Sequence, residues 1–405
     1  MSKRILIFST AYLPYLGGAE IAIKEITDRI HDIQFDLITL RFDRNLQKFE
    51  RLGNVNVYRI GFTADNPAMS DLVKWPFKLN KYLFPVLACL TACRLHRKNH
   101  YDGVWAMMAA FAGFAAMFFK TCQPNVPYLL TLQEGDPFSE IKRKVRLVSL
   151  LFKRIFLKAD YIQVISNYLA DWARKMGYTG ELAVVPNGVD VKKFKVACLA
   201  EDGESRRESL KLKVKDIKNK LAFTENNKII ITASRLVKKN AIDDVINSLK
   251  YLPANVKFLI LGDGPDRKML ENLAERLNLA DRINFFGAYD NDDLPKYLAI
   301  ADVFVRPSLS EGMGISFLEA MAAGLPVIAT PVGGIVDFLK DGETGLFCQV
   351  KNPESIARKV EELLVNQELS DKITANAGQL VKENYDWGLI SIKMKNIFEK
   401  ITNQL

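Results

Sequence analysis

The 405 residues, 49% hydrophobic and 25% charged, are too many for one ordinary core and too apolar for a disordered chain, so two domains are expected. Lys and Arg number 56 against 47 Asp and Glu, and the net +9 suits phosphates, nucleic acid or anionic lipid without choosing among them. No nucleic-acid recognition motif accompanies the charge, so nucleic acid is set aside.

At the N-terminus, basic Met1-Ser2-Lys3-Arg4 precedes an apolar run of only Ile5 to Phe8. That run is too short for a signal-peptide core and predicts a first buried strand. Gly17-Gly18 follows, ahead of a helix over Ala19 to Ile30 and a strand over Phe35 to Leu40. Paired glycines let backbone approach a ligand closely, and a helix start favours anions; a tight turn is the plain alternative.

Cysteines at 89, 93, 122, 198 and 348 form no C-x-x-C pair and no zinc spacing. Their odd number in apolar surroundings predicts reduced, buried thiols and a cytosolic protein. Gly103 to Phe119 carries no charge, but its length and its Ala and Gly content favour a strand over Val104 to Met107 and then a helix, rather than a membrane span. His96 and His100 sit four apart in a basic helix end without a nearby third ligand, which reads as a solvated face.

Ile141, Val145, Val148, Leu151 or Phe152, and Ile155 follow helical spacing. Lys142, Arg143, Lys144, Arg146, Lys153, Arg154 and Lys158 surround them. A helix over 141–158 can therefore lie on an anionic membrane surface, or pack its stripe on the first domain and solvate its charges. Trp75-Pro76-Phe77-Lys78 and Lys81-Tyr82-Leu83-Phe84 add aromatic and basic residues to the same domain.

Short apolar runs alternate with longer amphipathic ones, and this βαβ rhythm restarts after a charged stretch from Lys192 to Lys228 that reads as a connection plus an exposed helix near Lys211 to Lys220. Two Rossmann-like domains, 1–188 and 192–385, follow. The second opens with a strand over Ile229 to Thr232, a helix over Ile242 to Leu249, a strand over Val256 to Leu261 and a helix over Met269 to Leu277. Gly262-x-Gly264 invites a dinucleotide reading, but the third glycine of that motif falls at Arg267 and the reading fails. Asp290-x-Asp292 resembles a metal-binding pair, yet Asp292 or Asp293 fits better as the cap of a helix over Leu294 to Ala301.

The richest segment runs from Pro307 to Pro326. A buried strand over Val303 to Val305 enters a glycine-containing loop and then a helix over Ile315 to Ala323, with Gly324 and Pro326 as stop signals. Its start offers the N–H groups of Gly314, Ile315 and Ser316 to an anion. Glu311 precedes that start and Glu319 sits one turn inside, so both can accept hydrogen bonds from sugar hydroxyls beside it; a capping pair on a surface helix is the alternative. A last helix covers Trp387 to Ile401, and periodicity alone does not say which domain it joins.

Glu311 and Glu319, followed by Ala320-Met321-Ala322, Thr330-Pro331-Val332-Gly333-Gly334 and Asp341-Gly342-Glu343-Thr344-Gly345, resemble the signature of family 4 of the retaining glycosyltransferases. Gly17-Gly18-Ala19-Glu20, Pro186-Asn187-Gly188-Val189-Asp190, Ser234 to Lys239 and Gly262 to Pro265 extend the resemblance over nearly the whole chain. It implies α/β GT-B architecture, two Rossmann-like domains with parallel sheets facing across a cleft, with the helix 387–405 crossing back to the first.

The resemblance also implies roles. Glu319 holds the nucleotide ribose and Glu311 the transferred sugar. Gly17, Gly18, Gly312, Met313, Gly314, Ile315 and Ser316 line the donor, and Arg235 with a lysine neutralises the diphosphate. The family lysine falls where this chain has Asn240, so its role passes to Lys239. Many relatives carry a histidine where Gln133 stands; Gln133 can donate a hydrogen bond but cannot titrate, and no protein general base is assigned.

The implied activity is retaining, metal-independent transfer from a UDP- or GDP-type nucleotide-sugar to a lipid-linked glycan or surface-polysaccharide precursor, without a cofactor, by a cytoplasmic enzyme held peripherally at the membrane. A nucleotide-sugar epimerase and a non-catalytic nucleotide-sugar sensor on the same fold are the alternatives.

Overall fold

The computed structural model describes residues 3–15, 17–65, 67, 74–75, 77–195 and 215–403. The chain forms two compact units, Met1–Asn187 with Trp387–Leu405, and Gly188–Asp386.

The first unit is built on an eight-stranded sheet. Its strands are β1 (Lys3–Phe8), β2 (Ile33–Leu40), β3 (Phe49–Leu52), β4 (Val55–Ile60), β5 (Gly103–Met107), β6 (Tyr128–Leu132), β7 (Tyr161–Val164) and β8 (Glu181–Val184), in the order β3-β4-β2-β1-β5-β6-β7-β8. All neighbours are parallel except β3 with β4. The central strands are continuous apolar runs because helices cover both faces: Ile5, Leu6, Ile7 and Phe8 are all fully buried. The uncharged stretch after Asp102 is a strand and then the helix Ala112–Cys122. Among the described residues, no helix is long and apolar enough to cross a membrane.

The second unit carries β9 (Lys228–Ala233), β10 (Val256–Leu261), β11 (Ile283–Gly287), β12 (Val303–Arg306), β13 (Val327–Ala329) and β14 (Leu346–Phe347) in one parallel sheet, ordered β11-β10-β9-β12-β13-β14. The order runs outward in one direction from β9 and in the other from β12. Their carboxyl ends therefore form a topological switch point, where open α/β sheets bind ligands. In the first unit, β1 and β5 make the corresponding switch.

The last helix, Trp387–Asn403, belongs to the first unit. Trp387, Ile390, Met394, Ile397, Phe398 and Ile401 are buried at helical spacing, and the Phe398 ring packs edge-on against Phe35 and Trp105 at centroid distances of 5.7 and 5.1 Å.

Several local expectations change. The basic stretch is not one helix. It breaks into Phe138–Lys144, a 3-10 turn Arg146–Val148 and the helix Ser149–Leu157, with Val145 and Val148 leaving helical backbone at φ −100° and −117°. Of the stripe, only Phe152 and Ile155 are buried, joined by Phe156. The thiols also divide: Cys89 and Cys348 are buried, Cys93 is half-buried and Cys122 is exposed. Cys198, residues 201–204 and residues 211–214 lie outside the described residues, and 215–220 form a helix as expected. Asp293 occupies the cap position of the helix Leu294–Leu298 without a side-chain cap bond, and pairs instead with Lys296.

Because Phe398 is fully buried between two aromatic rings, Phe398→Ala should cost about 3–5 kcal/mol through lost burial and the cavity left behind. Equilibrium denaturation of the full chain measures it.

Candidate functional site

The second unit's switch point is built from the loops that follow β9 and β12. They are joined by the Leu309 N–H donating to the Lys239 carbonyl at 2.6 Å. The loop after β9 carries Arg235, which is exposed, and Lys239, which is half-buried. Asn240, at the position where the resemblance places a lysine, is buried, and its Nδ2 donates to the Arg235 carbonyl at 2.7 Å. Asn240 shapes the loop, and the positive charge beside it comes from its neighbours.

The loop after β12 is organised by a residue that sequence reading passed over. Arg306 ends the strand, with its side chain only 6% exposed. Its Nη2 donates to Glu311 Oε2 at 2.9 Å, its Nη1 to Ser316 Oγ at 2.8 Å, and its guanidinium lies 4.1 Å from the Phe317 ring centroid. Glu311 spends its other oxygen on the Gly312 N–H at 3.1 Å. Gly312 therefore turns its amide toward Glu311. Met313 is buried.

Two glycines are required here. Gly314 precedes the helix Ile315–Ala322 at φ +89°, and a Cβ there would stand 2.6 Å from Arg306 Nη2 and 2.5 Å from the Phe317 ring. Gly333, at φ +56°, lets its backbone pass where a Cβ would sit 1.8 Å from the Glu311 carbonyl oxygen, and the Gly334 N–H donates to that oxygen at 3.1 Å. The first-turn amides of Ile315 and Ser316 have no acceptor within the helix, so its start presents partial positive charge.

Glu319 sits one turn in. Burial pushes its carboxyl up to about 7, opposed by the charges of Lys193 and Arg306. Among the described residues, none donates a hydrogen bond to that carboxyl. Tyr289 lies near: burial raises its hydroxyl's pKa, Glu319 adds to the rise and Arg306 opposes it. Lys193 comes from the short helix Val191–Lys195, capped by Asp190 Oδ1 accepting from the Lys193 N–H at 3.1 Å, and its Nζ pairs with Asp292 at 2.8 Å. Asp292 is thus an ion-pair partner, not a helix cap. Arg306, Tyr289 and Lys193 join the predicted Arg235, Lys239, Glu311, Ser316 and Glu319 within the second unit; for Arg306, the missed signal was a charge at the end of a strand buried on both faces.

In the first unit, Gly17 and Gly18 are exposed at the start of the helix Gly18–Thr27, and the Gly17 N–H donates to Glu20 at 2.9 Å. Gln133 is not free: its side chain exchanges two hydrogen bonds with Asn187, at 3.1 and 3.0 Å. Beside it, the buried Glu134 accepts from the Ala109 N–H at 2.6 Å and the Gln133 N–H at 3.0 Å; burial pushes its carboxyl up to about 7, and these backbone bonds oppose the rise.

The sequence pattern described as Glycosyltransferase Family 4 matches residues 16–193, and that described as Glycosyl transferases group 1 matches residues 213–380. Among curated relatives, the alpha-monoglucosyldiacylglycerol synthase of Acholeplasma laidlawii is 22% identical over 92% of this chain and 91% of its own. Sucrose-phosphate synthase from Thermosynechococcus elongatus shares the fold at a TM-score of 0.81 and 20% identity over the full length of both chains. Anabaena HepE, solved with UDP-glucose, matches at 0.76 and 20% identity over 98% of this chain and 99% of that one.

The raised carboxyl of Glu319 has a stability consequence with a definite sign. Its folded pKa of about 7 lies above the ordinary 4.5, so the folded state holds the proton more tightly and loses that stability as pH rises from 4.5 through 7. Glu319→Gln should therefore melt higher than the parent at pH 8, and the gap should close toward pH 4.5 in thermal unfolding.

Proposed function

Because the chain belongs to the family 4 and group 1 glycosyltransferases and has their GT-B fold, transferring a sugar from a nucleotide-sugar, we propose how its own residues divide that work. The second unit binds the donor. Glu319 accepts hydrogen bonds from the ribose hydroxyls, a reading supported above all by its partly buried carboxyl having no donor among the described residues at a sheet's switch point. Glu311, fixed by Arg306, keeps lone pairs for the hydroxyls of the transferred sugar.

Arg235 and Lys239 receive the diphosphate, whose charge grows as the glycosidic bond breaks, with the first-turn amides of Ile315 and Ser316 beside them. In the first unit, taken by itself, Gly18 keeps its amide for an anion, since that of Gly17 is spent on Glu20. Transfer proceeds with retention and without a metal or cofactor: the C1–O bond to the diphosphate breaks, the acceptor hydroxyl adds on the same face, and its proton passes to the departing phosphate oxygen. No protein base is needed, and Gln133, held by Asn187, positions the loop after β6. The donor is of the UDP or GDP type; the relative solved with UDP-glucose supports the former.

The acceptor is a lipid-linked glycan or glycolipid precursor, met at the cytoplasmic face of an anionic membrane. The broken stretch around 141–158 supports this better than one packed helix would. Leu147 is 96% and Leu150 82% exposed among Lys142, Arg143, Lys144, Arg146, Lys153 and Arg154, and Trp75 is 73% exposed. The relative that makes a glucosyldiacylglycerol supports a lipid acceptor.

Arg235→Ala should lower kcat about 10²–10³-fold with a modest change in donor affinity, as for loss of one preorganised donor to a leaving group. Glu319→Ala should instead weaken binding of uridine or guanosine diphosphate, read by thermal shift; unchanged affinity would remove the helix Ile315–Ala322 from the donor site. Product analysis with donor alone should show no altered free nucleotide-sugar, separating transfer from epimerisation. For the membrane reading, the chain should float with vesicles rich in phosphatidylglycerol, and Leu147→Glu with Leu150→Glu should leave it in the pellet fraction.

A further inference from the structure

Helix Phe77–Asn99 carries Cys89 and Cys93 one turn apart, and helix Ala112–Cys122, packed against it, ends on Cys122. The three sulfur atoms all lie within 4.8 Å of one another. All three thiols are free. We propose that Cys89, Cys93 and Cys122 form a three-thiolate site for one thiophilic d10 cation of the Zn(II) type, clamping the two helices of the first unit together.

The geometry fits such an ion. With Zn–S near 2.3 Å, three thiolates in trigonal or tetrahedral arrangement stand roughly 3.8–4.0 Å apart, so the sulfurs need to contract by less than about 1 Å, within the reach of χ1 rotation. A disulfide fits less well. Residues four apart on a helix keep their Cβ atoms about 5–6 Å apart, beyond the roughly 3.5–4.5 Å a disulfide needs, and any single bridge leaves the third sulfur unused. Access is open from the exposed Cys122 through the half-buried Cys93 to the buried Cys89.

The electrostatics agree. Burial and the neighbouring thiols push Cys89 up to about 12, and Cys93 is raised by burial and Cys122, so three adjacent thiolates do not form unaided. A divalent cation releases these protons and cancels the mutual repulsion. Cys122 is also the last residue of its helix, where the macrodipole favours positive charge. Sequence spacing hid the site because the third ligand comes from a different helix.

The reduced, chelator-stripped full chain is titrated with Cd(II), following the thiolate-to-cadmium absorption, and Zn(II) is then scored against a chromophoric chelator. The absorption should rise linearly to one equivalent and stop. Cys93→Ser and Cys122→Ser, both at accessible positions, should each lower it by about a third and weaken Zn(II) more than about tenfold, because each removes one thiolate ligand. Cys198→Ser and Cys348→Ser should leave both readings unchanged. Absence of a break at one equivalent, or an unaltered titration in folded Cys93→Ser, overturns the proposal. So does a mass loss of two hydrogens linking the Cys93 and Cys122 peptides in a chain that takes up no cation.

Discussion

The candidate site of the second unit depends on one buried charge. Arg306 ends β12 beneath the loop that carries the candidate chemistry, and an unpaired guanidinium there would be prohibitively costly. Burial pulls its pKa down, opposed in part by Glu311, Tyr289 and Glu319. Breaking such a pair from one side typically costs about 3–5 kcal/mol, so Glu311 and Ser316 are fixed in place by a demand for compensation rather than by packing alone. Gly314 follows from the same demand, since any side chain there would displace the guanidinium. Gly333 and Gly334 then hold the backbone of Glu311 from behind. The glycines and the two acids of the segment are thus one device built around Arg306.

The sheets were legible because buried parallel strands have little freedom in composition. Ile5 to Phe8, Val303 to Val305 and, apart from Lys257, Val256 to Leu261 are apolar runs of the kind interior parallel strands carry, and all three are strands within a residue or two at each end. The last helix was legible as a helix, but its partner was not: Phe398 meets Phe35 and Trp105, which lie hundreds of residues earlier in the chain, and periodicity carries no information about such distances. The basic stretch shows the opposite failure. Its apolar spacing is helical throughout, yet Val145 and Val148 leave helical backbone without a glycine or proline to announce it. Periodicity describes which faces are apolar and does not measure whether the chain stays wound.

Within the candidate site, residues close in sequence were readable and residues converging from elsewhere were not. Glu311, Ser316 and Glu319 share one loop and helix. Lys193 arrives from the start of the charged connection, on a turn of helix that Asp190 caps, and Tyr289 arrives from after β11. The run Pro186 to Asp190 looked like a junction marker. Its structural consequence is more specific: Asp190 orients the helix whose lysine stands over Glu319 and Asp292.

Glu134, buried in the first unit, and Glu319, partly buried in the second, show why burial alone does not identify a functional group. Glu134 and Glu319 are both pushed up to about 7 by desolvation. Glu134 answers that cost with the N–H groups of Ala109 and Gln133, joining the loops after β5 and β6, and so its carboxyl is already used. Glu319 is opposed only by the distributed charge of Lys193 and Arg306, which stabilises an anion without occupying its lone pairs. A carboxylate kept ionisable by charges, with its acceptor capacity unspent, is what hydroxyls of a ligand can bind. The protein therefore spends hydrogen bonds where it needs rigidity and long-range charge where it needs an open acceptor, and the same residue type serves both ends according to which compensation surrounds it.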